Sequence, residues 1–483
     1  MNVPQFIEDP GGKGVRLFAG ARLAPEKAAL ARCLAVSRLP WVAEPIVALP
    51  DLHWKERLET PSSTAVATRD DIVASFSSPS QNCGMTLLTT PLGEEDLSER
   101  FIDGLMDELR DSIPRRRKTP AIERELVLDL CRRGAPAAAA RYGLDPAQCG
   151  KIELGGNALD GEDPGLEELL STLDEQAIQS GRVSFAFVGG GNHFLELQVV
   201  EDILDAGACG RMGLEKGRLV VMFHTGSERL GHDLGRLYSW RRKTDPKRRR
   251  NLFWRKIRMH LMRDVHGLDD VRRRWEYHFR RLDHVAVPAE SAEGRRLVLT
   301  LKVAANYGYA NRVAVAGGIQ QALRRATGKS EIQVGLVADL SHNTIHRERI
   351  SGRDLWVHRH NAARIVGPAR LPAGHPYAGL GQPLMVPGTN RTSSFVVVGQ
   401  DGAEATLLSM DHGAGRTVER WTEAGLLRPR PDRVTRKYTY KAPGPEILVH
   451  QSDEAVEEVM AIAAAGDVAR PVARLRPVAV LKA

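Results

Sequence analysis

A chain of 483 residues, 42% hydrophobic and 27% charged, has the balance of a globular protein, which excludes wholesale disorder. Lys and Arg total 68 against 60 Asp and Glu, so the formal net charge of +8 is modest for the length. No apolar run reaches the roughly 18 residues that a membrane-spanning helix needs.

In chain order, the opening MNVPQFIEDPGG lacks a basic-then-apolar leader, and Cys33, Cys83, Cys131, Cys149 and Cys209 are odd in number and scattered. The expectation is a reducing, cytoplasmic setting without a disulfide framework. Apolar residues at helical spacing predict a helix over 165–181, and again over 454–465. Short β-rich runs predict strands at 183–188, 219–223, 297–301, 332–337, 395–398 and 405–408. Between them, residues 241–281 read as a basic helical insertion, and the Pro- and Arg-rich stretch 428–445 as a loop over the body. Strands and helices without regular βαβ spacing point to an α+β fold. No linker long enough to mark a boundary appears, so 1–483 reads as one large domain with the insertion at about 240–282.

The charge is unevenly placed. Residues 241–258 hold ten Lys and Arg against one Asp, interleaved with Phe253 and Trp254. Arg272, Arg273, Arg274, Arg280 and Arg281 follow around Trp275, Tyr277 and Phe279, and Arg115, Arg116, Arg117 and Lys118 form a smaller run upstream. Such clusters suit a polyanion, because each phosphate contact releases counterions, although an isolated basic run is also an ordinary solvated helix face.

Four of the predicted strands end in a polar turn carrying a histidine: His193, His224, His342 and His412, most with glycine nearby. Rigid strand ends can aim side chains into one cleft, and glycine lets backbone N–H groups approach a phosphate closely. The imidazoles with the Cys83 thiolate form a borderline ligand set suited to Mn, Zn, Fe or Co. Spacing alone leaves the metal and the reaction open.

Taken in order, these segments resemble the RtcB family of RNA-splicing ligases. The resemblance runs through Leu49-Pro50-Asp51-Leu52-His53, Cys83-Gly84-Met85, the GGGNHFLE of residues 189–196, and His224-Thr225-Gly226-Ser227. It continues through the ANYGYANR of residues 305–312, Asp339 to Asn343, Val357-His358-Arg359, Pro387-Gly388-Thr389, the HGAGR of residues 412–416, and the closing stretch to Lys482. The resemblance implies a GTP- and manganese-dependent enzyme joining RNA 2′,3′-cyclic-phosphate or 3′-phosphate ends to 5′-hydroxyl ends through a histidine–GMP intermediate. By position, His412 is the implied nucleophile. Cys83 and His193 match ligands of a first manganese, and His224 and His342 ligands of a second. Asn192, His193, Phe194, Leu195, Glu196, His342, Asn343, Pro387, Gly388, Thr389, Asn390, Ser394, His412, Gly413, Ala414, Gly415 and Lys482 match the guanylate site. An archease-like activator is a further implied partner.

Four places depart from the family pattern. Ser80 stands where the family has a metal-binding aspartate, with Asp51 or Asp71 as possible substitutes. Glu228 stands where the family has an arginine for RNA phosphate, so it is expected to repel RNA unless Arg229 takes over. His360-Asn361 replaces a Lys-Gly pair, and Arg391 stands at a family glycine. These changes suggest a divergent paralog and keep two alternatives in view: a metal-dependent phosphoesterase that does not ligate, and a catalytically silent RNA-binding protein.

Overall fold

The computed structural model describes residues 4–20, 22–55, 58–115, 120–239, 246–280 and 284–482, with backbone alone for 246–249. Two sheets organise the chain. The larger, of nine strands, runs Gly335–Ser341, Gly84–Gly93, Arg218–Thr225, Phe194–Ile203, Ala469–Lys482, Ser394–Gly399 and Pro383–Val386, with Pro429–Thr439 and Glu446–Gln451 joined off its path. The smaller, of six strands, runs Gln5–Ile7, Val15–Leu17, Ile46–His53, Ser62–Thr68, Arg353–His360 and Ile345–Ile350. This is the α+β architecture expected from the irregular order of elements.

A 36-residue helix, Ala292–Thr327, packs against the large sheet. The Ser291 hydroxyl caps it by accepting from the Gly294 N–H at 3.0 Å. Its middle turns are buried on all sides, and small residues allow this. A Cβ at Gly308 would lie 2.2 Å from Asn82 Oδ1, so only glycine lets that loop come so close.

The sequence expectation held for Arg218–Thr225, Ser394–Gly399 and Glu454–Ala465, which appear within a residue or two of their predicted bounds. Elsewhere tertiary context won. Residues 183–188 are not a strand; Val183 ends a helix, 184–188 form a loop whose Phe185, Phe187 and Val188 are buried, and the strand begins later, at Phe194. Residues 297–301 belong to the long helix, where their β-branched and leucine side chains pack against its neighbours. The strand predicted at 332–337 starts at Gly335, and 405–408 is the end of a 3₁₀ turn followed by two left-handed leucines, Leu407 and Leu408. The helix predicted over 165–181 is broken into Leu166–Thr172 and Glu175–Val183, the second capped by the Asp174 carboxylate. Residues 428–445 are largely strand, Pro429–Thr439, lying parallel to Ala469–Lys482.

In the basic segment the described residues form helices Pro246–His260 and Leu268–Trp275 and a π-helical turn Glu276–Arg280. Residues 240–245 and 281–283, and Arg116, Arg117 and Lys118, lie outside the described residues. Trp254 and Trp275 are exposed on this segment, and the Phe253 ring contacts both.

Candidate active site

The site is assembled along one edge of the large sheet. Antiparallel register sets Gly84 opposite both Thr225 and Ser341, Phe194 opposite His224, and Lys482 opposite Phe194. Cys83, His193 and His342 each sit one residue beyond a strand end, so all three converge on His224. The Cys83 sulfur lies 3.0 Å from His193 Nε2 and 3.1 Å from His224 Nε2, and His224 Nε2 lies 3.2 Å from His342 Nε2.

Beneath the cluster, the buried Arg312 guanidinium pairs with Asp339 at 2.7 Å and donates to the Asn82 carbonyl at 3.0 Å. This fixes the turn that carries Cys83, in which Asn82 takes a left-handed φ of +53°. Gly84 leaves room for the guanidinium, since a Cβ there would come within 2.9 Å of it.

His412 follows the short strand Ser409–Asp411, which pairs with Ala362–Arg364 so that Ala362 faces Asp411. The same pairing brings the Asn361 carbonyl to 2.9 Å from His412 Nδ1. A carbonyl only accepts, so Nδ1 carries the proton and Nε2 keeps its lone pair. Burial pushes the His412 pKa down to about 4, which keeps the ring neutral near pH 7. Its centroid is 4.1 Å from that of His342. The helix Gly415–Glu423 that follows is capped from another element: Asp51 accepts from the Thr417 N–H at 2.6 Å and its hydroxyl at 2.8 Å. The Asp51 N–H in turn donates to Asp411 at 3.0 Å.

These groups line a cavity of about 1200 Å³. Of the residues that the resemblance matched to a guanylate site, Asn192, Phe194, Glu196, Asn343, Pro387, Gly388, Thr389, Asn390, Gly413, Gly415 and Lys482 line it together with Cys83, His193, His224, His342 and His412. Three residues matched to the guanylate site do not. Leu195 points to the opposite face of its strand, into the core, as alternation requires. Ser394 is buried and its hydroxyl accepts from the Gln198 amide at 3.0 Å. Ala414 is buried and donates its N–H to the Pro387 carbonyl at 2.9 Å.

At the far end of the cavity, burial pushes Glu196 up to about 8, against the Gln198 amide at 2.6 Å and the Lys482 charge, which both lower it. Burial likewise lowers Lys482, with Glu196 opposing.

The donor set fits a borderline divalent ion. Burial, reinforced by the charges of His193, His412 and Arg312, holds His342 and His224 well below their ordinary range, so both present lone pairs. Burial also works against charge on His193, but the Cys83 sulfur and the Glu228 carboxylate hold it well above its usual value. His342 Nδ1 is buried without a hydrogen-bond partner among the described residues, and two imidazole Nε2 atoms 3.2 Å apart share no more than one proton. A cation would relieve that crowding.

The departures resolve unevenly. Ser80 lines the cavity, and so does Asp51, but the Asp51 carboxylate is spent on the Thr417 cap. Asp71 pairs with Pro288 in a separate two-stranded ribbon and does not line the cavity. Glu228 turns inward to His193 Nδ1 at 2.9 Å, so the expected repulsion of RNA from a solvent-facing carboxylate has no geometric basis, while Arg229 is exposed. His360, Asn361 and Arg391 all line the cavity. Sequence reasoning missed the Asn361 carbonyl, because a backbone acceptor leaves no residue signature. It also missed the Arg312–Asp339 pair, although both residues lie inside stretches that it singled out.

The sequence profile of the family described as tRNA-splicing ligase RtcB matches residues 32–483. A tRNA-splicing ligase RtcB of Archaeoglobus fulgidus is 27% identical over 95% of this chain and 91% of its own length. An RNA-splicing ligase RtcB of Mycobacterium bovis is 29% identical over 92% of this chain and 99% of its own. A tRNA-splicing ligase RtcB of Pyrococcus abyssi is 30% identical over 83% of this chain but only 42% of its own length. The chain spans about two fifths of the length of the Pyrococcus relatives that it matches.

Proposed function

Because the chain belongs to the RtcB family, we propose that it is an RNA ligase that activates RNA 3′-phosphate ends with GTP and seals them to 5′-hydroxyl ends. The observation that supports this best is His412: neutral, with its proton fixed on Nδ1 by the Asn361 carbonyl, in the wall of a nucleotide-sized cavity beside the thiol–imidazole cluster. A neutral imidazole with an available Nε2 lone pair is a nucleophile ready for phosphorus.

In this reading Nε2 attacks the α-phosphorus of GTP and the bond to the β-phosphate oxygen breaks, releasing pyrophosphate. An oxygen of the RNA 3′-phosphate then takes the GMP and frees His412. The 5′-hydroxyl oxygen displaces GMP from the activated end and gives up its proton. A cyclic end is first opened by water to the 3′-phosphate. Glu196 accepts from the guanine N1–H and N2–H edge, while the backbone N–H groups around Gly413 and Gly415 face the α-phosphate. Cys83, His193, His224 and His342 would hold manganese, which supplies charge neutralisation at the phosphates when bound. The exposed Trp254 and Trp275 among the arginines of the helical segment offer stacking and phosphate contacts to the RNA body. An archease-like activator belongs to the same reading.

The test is incubation with GTP labelled at the α-phosphate and Mn²⁺. Wild-type protein is expected to take up acid-labile, alkali-stable label, and His412→Ala none. Cyclic-phosphate opening without any label, under Mn, Co, Zn and Fe alike, would replace ligation by a metal-dependent phosphoesterase.

A further inference from the structure

Glu228 opens the helix Glu228–Tyr238, yet its carboxylate turns back toward the cavity wall. Its φ of +48° is a left-handed conformation that a non-glycine residue adopts only when its surroundings hold it there. Two contacts on one oxygen do so: Glu228 Oε1 lies 2.9 Å from the Thr225 hydroxyl and 2.9 Å from His193 Nδ1. The space between the two side chains depends on Gly189. At its φ of +91°, a Cβ would stand 2.3 Å from Glu228 Oε2 and 2.6 Å from His193 Nδ1. Both side chains are withdrawn from water, with 16% of His193 and 11% of Glu228 exposed.

The second partner of His193 Nδ1 is the Val188 carbonyl, at 2.7 Å. Both partners only accept, so the Nδ1 proton is fixed between them. The ring is thereby oriented with Nε2 toward the Cys83 sulfur, 3.0 Å away. The grouped donors Cys83, His224 and His342 include no carboxylate. The charge of Glu228 therefore reaches the cluster through the imidazole, the arrangement in which an outer carboxylate raises the basicity of a ligating histidine.

We propose that Glu228 is a positioning residue of the cleft's metal site, fixing the tautomer and orientation of His193 and supplying the negative charge with which the cleft receives a divalent cation. The inference rests on reading the cleft as a metal site. A carboxylate at a helix start also favours the helix dipole, but that contribution is indifferent to metal. The two roles therefore separate in experiment.

The probe is Co²⁺, titrated into the chelator-treated full chain and followed by its visible d–d bands and its thiolate-to-cobalt absorption. Glu228→Gln is expected to weaken Co²⁺ binding by about 10- to 100-fold. The thiolate band at saturation and the metal-free urea midpoint stay as in wild type. Gly189→Ala, which leaves Glu228 in place but crowds it away from His193, is expected to weaken binding in the same direction. Wild-type affinity in Glu228→Gln, with binding lost in His193→Ala, overturns this inference and leaves the metal reading standing. No thiolate-to-cobalt band in wild type removes the metal reading and this inference with it, whereas wild-type affinity in both variants overturns this inference alone. A fall in the metal-free urea midpoint with unchanged affinity assigns Glu228 to the helix alone.

Discussion

The cleft cluster of Cys83, His193, His224 and His342 and the buried cluster of His260, His278 and Glu293 bring donor atoms comparably close, but into opposite surroundings. In the buried cluster, His260 Nδ1 and His278 Nε2 both lie 2.7 Å from Glu293 Oε1, and His260 Nε2 donates to the Leu237 carbonyl at 2.8 Å. The two rings stack at 3.5 Å. Burial pushes Glu293 up, but the hydrogen bonds from His260 and His278 prevail and hold it well below the usual carboxylate range. The buried side chains of Lys256, Arg274 and Arg296 surround it, with Arg274 3.8 Å from Glu293 Oε2. Asp270 and Asp264 pair the two arginines, so the cluster is a closed network in which Glu293 already holds both rings. In the cleft, by contrast, no carboxylate is among the grouped donors Cys83, His224 and His342, and the cluster opens to a cavity of about 1200 Å³. Donor proximity defines neither site. Access separates the candidate site from a staple that ties the helical segment to the first turn of Ala292–Thr327.

The contrast is sharpest in stability. Glu293→Ala breaks the buried pairing that holds His260 and His278 and is expected to cost about 3–5 kcal/mol in urea unfolding, while the folded fraction keeps wild-type Co²⁺ binding. One equivalent of zinc retained by wild type and lost only in this variant would break the comparison. The reciprocal change is Cys83→Ser. It is expected to weaken Co²⁺ by roughly 100-fold, about 2.7 kcal/mol, and to abolish the thiolate band, with the metal-free unfolding midpoint unmoved. An equal loss of stability would mean that the cleft, too, is a structural cluster.

The smallest effect concerns pH. Burial pushes Glu196 up to about 8, and in the proposed reading its carboxyl must be ionised to accept the guanine edge. GTP affinity is therefore expected to rise with pH, by up to roughly 20-fold between about pH 6.5 and 8.5, in equilibrium binding. Glu196→Gln should flatten that profile. An unchanged profile in the variant would place the guanine elsewhere.

The ordered segments were legible because they carry the chemistry themselves. Glycine-flanked histidines at the ends of apolar runs are brought together on one cavity, and the irregular element order led to the right fold class. What stayed hidden depends on partners distant in sequence. Nothing local to Asp51 announces that it caps the helix after His412, since Thr417 lies 366 positions away. Glu228 was misjudged for the same reason: its charge was visible, but not the left-handed turn that faces it inward. The loop at 184–188 deceived by composition, since Phe185, Phe187 and Val188 are as apolar as a strand and are buried without pairing.

The strand Ala469–Lys482 lies in the interior of the large sheet, with Phe194–Ile203 along one side and Ser394–Gly399 followed by Pro429–Thr439 along the other. A nascent chain on the ribosome therefore holds two half-sheets with open edges, and neither contains the whole cleft. Until residue 482 emerges, Phe194 and Glu196 lack the neighbour that completes their wall. The same wait leaves two unpaired edges exposed to other chains, the hazard that long-range β-pairing carries during synthesis.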